Sequence, residues 1–272
     1  MGTAMVTGAS AGLGLEFAWQ LATARHDVVL VARDGERLHR LASQLEAAAG
    51  VRTEVMVADL SQRDQLEPLV ERLRHPIRPV GLLVNNAGFG IAQPFIGGDL
   101  AREEVALDVM VRAVLVLSHA AAGVMVERGR GAILNVASIA SLLASGTYSA
   151  HKAWVRAFTE GLAVELRGTG VTATALCPGL VHTEFHQRGG IDTEAFPSLS
   201  FLNPEDVVAS ALADVRRGAV ISTPSLRYKL VAGSARVAPR WAIRAVGRYR
   251  RELQDTHREP SDTERAHDER TA

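Results

Sequence analysis

Six short apolar runs, each rich in β-branched residues or leucine, recur at Thr3–Thr7, Val28–Val31, Thr53–Val57, Leu82–Val84, Ala132–Val136 and Val171–Cys177, with helix-compatible segments between them. Such alternation is the pattern of successive βαβ units, which build a parallel sheet covered by helices on both faces. Strands buried on both sides have no polar face to keep, so they are apolar throughout. A seventh run, Ala219–Thr223, follows a helix expected to open at Pro204 with Asn203 as its N-cap. The expected fold class is α/β, a doubly wound and mainly parallel sheet. Crossovers in such a sheet are right-handed and ligands settle beyond the carboxyl ends of the strands, so functional residues should follow strands directly.

Length and composition fit one catalytic domain over residues 1–225, since 272 residues at 47% hydrophobic content can bury a full core. Thirty basic residues balance thirty acidic ones, so no whole-protein field draws the chain to nucleic acid. The longest apolar stretches, such as that from Ala113 to Met125, are interrupted by His119 or by charge, and no membrane span is expected. Met1 runs into a strand and a glycine-rich turn with no leader pattern, so a cytoplasmic protein is expected. Cys177 is the only cysteine and reads as small apolar filler.

Two segments follow the last strand candidate. Residues 226–250 carry seven Lys/Arg and no acid, whereas 251–272 carry four Arg, seven acids and one large apolar residue. The first reads as a basic amphipathic extension. The second reads as a disordered charged tail.

The first strand is followed by TGASAGLG, Thr7 to Gly14, which opens a helix continuing through Phe17, Trp19 and Leu21. Gly8 permits a tight turn, and Gly12 and Gly14 let backbone approach phosphate and helix approach strand. The helix start adds N–H donors and a positive dipole, so the turn is an anion cradle. Asn85, Asn86, Ala87 and Gly88 close the fourth strand. Ser138 follows the fifth, Tyr148-Ser-Ala-His-Lys152 lies beyond it, and Pro178-Gly179 follows the sixth. In this order the chain resembles the short-chain dehydrogenase/reductase family, over about residues 2–223.

That resemblance implies a Rossmann-type fold and hydride transfer between a nicotinamide cofactor and a carbonyl or alcohol, with Ser138, Tyr148 and Lys152 catalytic. It implies cofactor contacts from Gly8, Ser10, Gly12, Leu13 and Gly14. It adds Asp59 and Leu60 at the adenine, and Asn86, Ala87 and Gly88 after the fourth strand. Pro178, Gly179, Val181 and Thr183 follow on the nicotinamide and pyrophosphate side, with Lys152 on the nicotinamide ribose. No metal is called for, and a homodimer or homotetramer is implied.

Residue chemistry supports the pair independently. Tyr and Lys at i and i+4 share one helix face, so an ammonium can sit beside the phenol and lower a pKa that is ordinarily ~10. Tyr148 can then exchange a proton with substrate oxygen. His151, next to Lys152, points about 100° away and reads as an ordinary helix residue. At the end of the second strand, Ala32 stands where an acid would hold the ribose of NAD, and Arg33 can pair with a 2′-phosphate. NADP(H) is therefore preferred, with NAD(H) as the alternative dinucleotide. Asp34 suits the start of the next helix, and Asp59 suits a helix cap as well as the adenine.

One position departs from the family pattern. Most members carry a further catalytic Asn in the helix after the NNAG segment, where Met110 stands here, and a thioether cannot hold a relay water as an amide does. A weakly catalytic or non-catalytic NADP(H)-binding sensor is the alternative to an enzyme. The stretch from Ser138 to Tyr148 is also short; Ser138 keeps the strand-end position ahead of Ser141 and Ser145.

A lid over residues 184–201 offers Phe185, Phe196, Leu199 and Phe201, with Phe89, Phe95, Leu142 and Leu143 as further wall candidates, which favours a bulky hydrophobic carbonyl or alcohol over a sugar as the small-molecule substrate. Arg236, Arg240, Arg244 and Arg248 recur every four residues and in a helix would form one basic stripe with Trp241 alongside, although Pro239 limits how far back that helix extends. That stripe, within 236–250, suits an anionic membrane surface, an acidic partner, or docking on the core.

Overall fold

The computed structural model describes residues 2–91, 93–184, 200–245 and 247. At the centre of the fold lies β1 (Thr3–Thr7), buried along its whole length. It pairs in parallel with β2 (Asp27–Ala32) on one side and β4 (Val80–Asn85) on the other. Beyond β2 lies β3 (Thr53–Val57), and beyond β4 lie β5 (Gly131–Val136), β6 (Val171–Leu176) and the two-residue β9 (Ile221–Ser222). The seven-stranded order β3-β2-β1-β4-β5-β6-β9 reverses between β1 and β4, which puts the topological switch point there. Among the described residues, a separate parallel pair joins β7 (Leu180–Val181) to β8 (Phe201–Leu202).

Helices cover both faces. On one, α1 (Gly12–Thr23), α2 (Gly35–Ala49) and α7 (Pro204–Arg216) pack Phe17, Leu21, Leu38, Leu45 and Val207 against Val6, Leu30 and Leu134. On the other, α3 (Arg63–Arg74) and α5 (Ala113–Glu127) pack Leu69, Leu73, Leu117 and Met125 against Met5, Leu83 and Ile133. A third cluster joins Ala137, Ala175 and Cys177 to α6 (Gly146–Glu165) and α8 (Leu226–Val237). Removing a fully buried leucine such as Leu117 would cost ~2–5 kcal/mol through lost transfer energy and the cavity left behind.

Asp34 caps α2 by accepting from the Arg37 N–H (3.0 Å), and Gly50 closes that helix in the left-handed region at φ 62°. Pro204 occupies the first turn of α7, but the Asn203 side chain makes no capping bond.

Two expectations change. Leu100–Glu127 forms one continuous helical stretch of 28 residues, long and apolar enough to cross a membrane; half of its most apolar part is buried inside the protein. Charged residues do not interrupt a helix, and the stretch runs on through Arg102, Glu103, Glu104, Asp108 and Arg112. The basic stripe also breaks: α8 ends at Val237, Ala238 is extended, and a short helical segment resumes at 240–245 because Pro239 cannot continue α8. Arg236 and Arg240 therefore sit on different segments. Arg248 and the charged tail lie outside the described residues.

Candidate active site

The carboxyl ends of β1, β4, β5 and β6 meet the amino-terminal half of α6 on one side of the sheet. Gly8 leaves β1 at φ 68°, and a Cβ there would lie 2.9 Å from Asn86 Nδ2. At Gly14 a Cβ would fall 2.1 Å from the Gly8 carbonyl oxygen. Both positions require glycine, so α1 can open hard against the strand end. Ala11, at the cap position, offers no side-chain acceptor, which leaves the first-turn N–H groups to an external anion. Gly12 faces Thr183: a Cβ added at Gly12 would lie 3.3 Å from the Thr183 Cβ, so the turn and the segment after β6 close one concavity. Ser10 and Leu13 of the turn are half-buried, and Leu13 packs against the core. A pyrophosphate fits this cradle.

Thr7 ties the two halves together at the switch point. Its hydroxyl accepts from the Asn86 and Ala87 N–H groups (3.0 and 3.1 Å), while Asn86 Nδ2 donates to the Thr7 carbonyl (2.9 Å). Sequence reading counted Thr7 only as part of the motif; its β-branched hydroxyl between strand and glycine was the available signal.

At the end of β5, Ser138 hydrogen-bonds the Tyr148 side chain and accepts from the Ala140 N–H (3.1 Å). Ser141 is buried with no partner on its hydroxyl, and Ser145 makes no capping bond, so Ser138 is the serine brought to Tyr148. Lys152, 4% exposed, donates to the Val136 carbonyl (2.7 Å), and its Nζ lies 5.8 Å from the centre of the Tyr148 ring. One helical turn separates the two residues, and both face the strand ends.

The sequence profile described as short chain dehydrogenase matches residues 2–192. The chain belongs to the short-chain dehydrogenase/reductase family. An uncharacterised oxidoreductase of Staphylococcus saprophyticus is 33% identical over 212 residues, covering 77% of this chain and 88% of its own. Among solved structures, a short-chain dehydrogenase from Sphingobium yanoikuyae in complex with NADPH superposes with TM-score 0.79 at 32% identity, covering 97% of this chain and 100% of its own. A bulky-bulky ketone specific alcohol dehydrogenase from Comamonas testosteroni does so with TM-score 0.75 at 29% identity, covering 97% and 98%. As a short-chain dehydrogenase/reductase, the chain is an NAD(P)-dependent oxidoreductase that binds a nicotinamide dinucleotide.

Within that family frame, the electrostatics of the pair differ from the sequence expectation. The phenol of Tyr148 is pushed up to about 12 by burial, which the Ser138 hydrogen bond only partly opposes. Burial also lowers Lys152 to about 8, with Cys177 acting against it. Desolvation outweighs the attraction expected between ammonium and phenolate, because the charged form of each group loses more on leaving water than the pair regains.

Met110 is fully buried in a π-helical turn, Asp108–Arg112, between α4 (Leu100–Leu107) and α5. A Cβ at Gly88 would lie 3.3 Å from Met110 Sδ and 3.5 Å from Lys152 Nζ, so the thioether and the ammonium flank the same glycine. The departure expected from sequence thus stands beside Lys152, one helical turn from Tyr148.

On the adenosine side, Arg33 is exposed and its guanidinium lies 4.0 Å from the Asp59 carboxylate. Asp59 does not cap α3; its carboxylate accepts from the Ser61 N–H and hydroxyl (2.9 and 2.8 Å), and Gln62 takes the cap position. The Leu60 side chain is buried in the core beneath it. Pro178 is buried, Val181 belongs to the core, and the Tyr228 ring from α8 packs on Gly179, where a Cβ would come within 2.0 Å. Tyr228 was not anticipated, since nothing local marks a tyrosine for a contact 49 residues away.

A further cluster escaped the sequence reading. Glu103, 9% exposed, accepts from the Thr147 hydroxyl (2.6 Å) and from Gln93 Nε2 (3.1 Å), which ties the loop after β4 to the residue before Tyr148. His151 is buried beside it with Nδ1 unpartnered, and burial lowers its pKa against the pull of Glu103. It is a buried residue of α6, as an ordinary helix residue can be. Of the wall candidates, Phe95 is 66% exposed, Phe89, Leu142 and Leu143 are half-buried, and Phe201 stacks on His182 at 4.4 Å. Phe185, Phe196 and Leu199 lie outside the described residues.

Proposed function

We propose that the chain reduces a hydrophobic ketone or aldehyde at the expense of NADPH, with Tyr148 as the proton donor. The observation that carries this is the joining of Ser138, Tyr148 and Lys152 at the strand ends, with the phenol held in its protonated form. A bound nicotinamide supplies the hydride. Tyr148, neutral at physiological pH, then has a proton to give to the developing alkoxide, and Ser138 orients the same oxygen. Lys152 at about 8 keeps its proton near neutrality and stabilises the phenolate left behind. Oxidation of an alcohol would need Tyr148 ionised, which burial opposes until further positive charge arrives.

Support for NADP(H) is local. No acid stands at Ala32, and the exposed Arg33 guanidinium is free to fork onto a 2′-phosphate while Asp59 holds it only at 4.0 Å. The NADPH bound by the Sphingobium relative points the same way. For substrate, half-buried Phe89, Leu142 and Leu143 suit an apolar carbonyl, as does the bulky ketone named for the Comamonas enzyme.

Tyr148→Phe is the deciding test: NADPH consumption with hydrophobic ketones should fall by roughly 10³-fold or more while the dissociation constant for NADPH changes little. Undiminished turnover would remove Tyr148 from the mechanism. Met110 supports a second reading, a cofactor-binding sensor with little turnover. Tight NADPH binding with no consumption across a broad carbonyl panel would favour it.

A further inference from the structure

An amphipathic helix at a protein surface ordinarily turns its aliphatic residues inward. In α8 the large aliphatics point out: Leu226 is 75% exposed, Leu230 68% and Val237 85%, and none of its residues is buried. At 100° per residue, Leu226, Leu230, Gly233 and Val237 fall within an arc of about 60°. Lys229 and Arg236 flank that arc on one side and Arg227 on the other. Trp241, 67% exposed, follows beyond the break at Pro239. Small residues face the core instead, with Tyr228 and Ala232 packed on the third cluster.

Three occupants could cover this face. The chain's own tail, 251–272, has Leu253 as its one large apolar residue and cannot bury an aliphatic strip. A second copy docking through the same face would set one cationic flank of the helix against a cationic flank of the other copy, and like charges across an interface repel. An anionic lipid surface meets both demands: the aliphatic arc enters the acyl boundary, and the flanking cations meet headgroup phosphates and carboxylates. Trp241 suits the same depth, since an indole prefers the boundary between apolar and wet. Seven Lys/Arg and no acid over residues 226–250 give the stretch the charge that an anionic lipid surface attracts.

We propose that α8 docks this protein on anionic membranes, through Leu226, Leu230 and Val237 with Lys229 and Arg236 beside them. The seat is the helix 226–237 rather than the arginine stripe at 236–250. Its place in the fold links it to the active site. The Tyr228 hydroxyl donates to the Ser200 carbonyl (2.7 Å) and accepts from the Leu180 N–H (3.2 Å), while its ring lies on Gly179. The docking helix is thereby fastened to β7 and next to β8, the two strands that bound the segment expected to cover Tyr148. An apolar carbonyl partitioned into the bilayer would meet the site from that side, a consequence that rests on the hydrophobic-carbonyl function above.

The full-length protein is sedimented with vesicles of phosphatidylcholine alone and of phosphatidylcholine mixed with phosphatidylserine. Binding should be about tenfold or more stronger to the mixed vesicles and should weaken as salt is raised. Leu230→Glu with Val237→Glu should abolish it, and Lys229→Gln with Arg236→Gln should weaken it about tenfold, with circular dichroism unchanged in both. Three results would overturn the proposal: no sedimentation with either vesicle, equal binding to neutral vesicles, or a Leu230/Val237 variant that sediments like wild type but has lost an oligomer. NADPH consumption with a water-soluble ketone, measured without vesicles, separates failure of docking from failure of the proposed reaction.

Discussion

Burial acts on both titratable members of the site in one chemical sense, favouring the neutral phenol of Tyr148 and the neutral amine of Lys152. For Lys152 this has a pH signature. An unfolded lysine holds its proton to about 10.5, so between pH 8 and 10.5 the unfolded chain carries the extra proton and stability rises with pH. Below pH 8 both states are protonated and the folded chain bears the whole penalty, about 3 kcal/mol at ~1.4 kcal/mol per pH unit. Tyr148 works oppositely above pH 10, where the unfolded phenol ionises and the buried one does not. The cofactor-free protein should therefore gain urea resistance from pH 8 to 10, and Lys152→Met should flatten that rise; equal slopes in both proteins would show that Lys152 is not desolvated. Arg33 carries a separate expectation. Arg33→Ala should lower the preference for NADP over NAD on the order of tenfold to hundredfold, read from the ratio of kcat/KM values, and an unaltered ratio would leave Ala32 and Arg33 with no part in cofactor choice. The identities of Ser138, Tyr148 and Lys152 were legible from motif spacing. The direction in which Tyr148 titrates was not, because desolvation depends on neighbours that the spacing does not name.

At the scale of elements, the helical stretch from α4 to α5 holds the informative departure. Its π-helical turn at Asp108–Arg112 places one extra residue into the helix where Met110 meets Gly88 and Lys152. An amide at this position can hold a water where a thioether cannot. Met110→Asn is expected to raise kcat several-fold with KM for the ketone unchanged, and to cost ~1–3 kcal/mol of stability if the new amide lacks a full set of partners. If kcat stays level in a folded variant, proton supply does not pass this position. The sequence placed Met110 correctly, yet the π turn around it was invisible, since it arises from packing rather than from any local breaker. Pro239 is a local breaker that the sequence shows directly. It ends α8 and splits the arginine stripe, so the aliphatic face of α8, rather than the arginine repeat, became the notable surface.

Across the whole molecule, one buried polar network spans the sheet and the layer above it. Asn85 Nδ2 donates to Asn135 Oδ1 (2.9 Å) and Ser118 Oγ (3.1 Å), and Asn135 Nδ2 donates to Thr159 Oγ1 (3.0 Å), joining β4, β5, α5 and α6. Three of its members are fully buried and Asn85 nearly so, so loss of one leaves the others unpaired in a low-dielectric interior. Asn135→Ala should cost ~2–4 kcal/mol in urea unfolding, and a cycle with Thr159→Val should show that the two effects do not add. Additive effects would mean that the network does not act as one unit. Because Asn86 to Gly88 follow β4 directly and α6 carries Tyr148 and Lys152, this network also fixes how the glycine-turn cradle and the Tyr148 side chain stand relative to each other.

The sequence alone determined the layers, the strand positions and the glycine turn, because hydrophobic periodicity and the steric demands of glycine are local properties of the chain. Tertiary structure alone decided what depends on contacts between distant segments: the reversal at β1 and β4, the clasp of Thr7 on Asn86, Glu103 on Gln93 and Thr147, and Tyr228 on Gly179. It also decided that Asp59 turns onto Ser61 instead of capping α3. Desolvation belongs to the same class, for a group learns how much water it has lost only once the whole fold has closed around it.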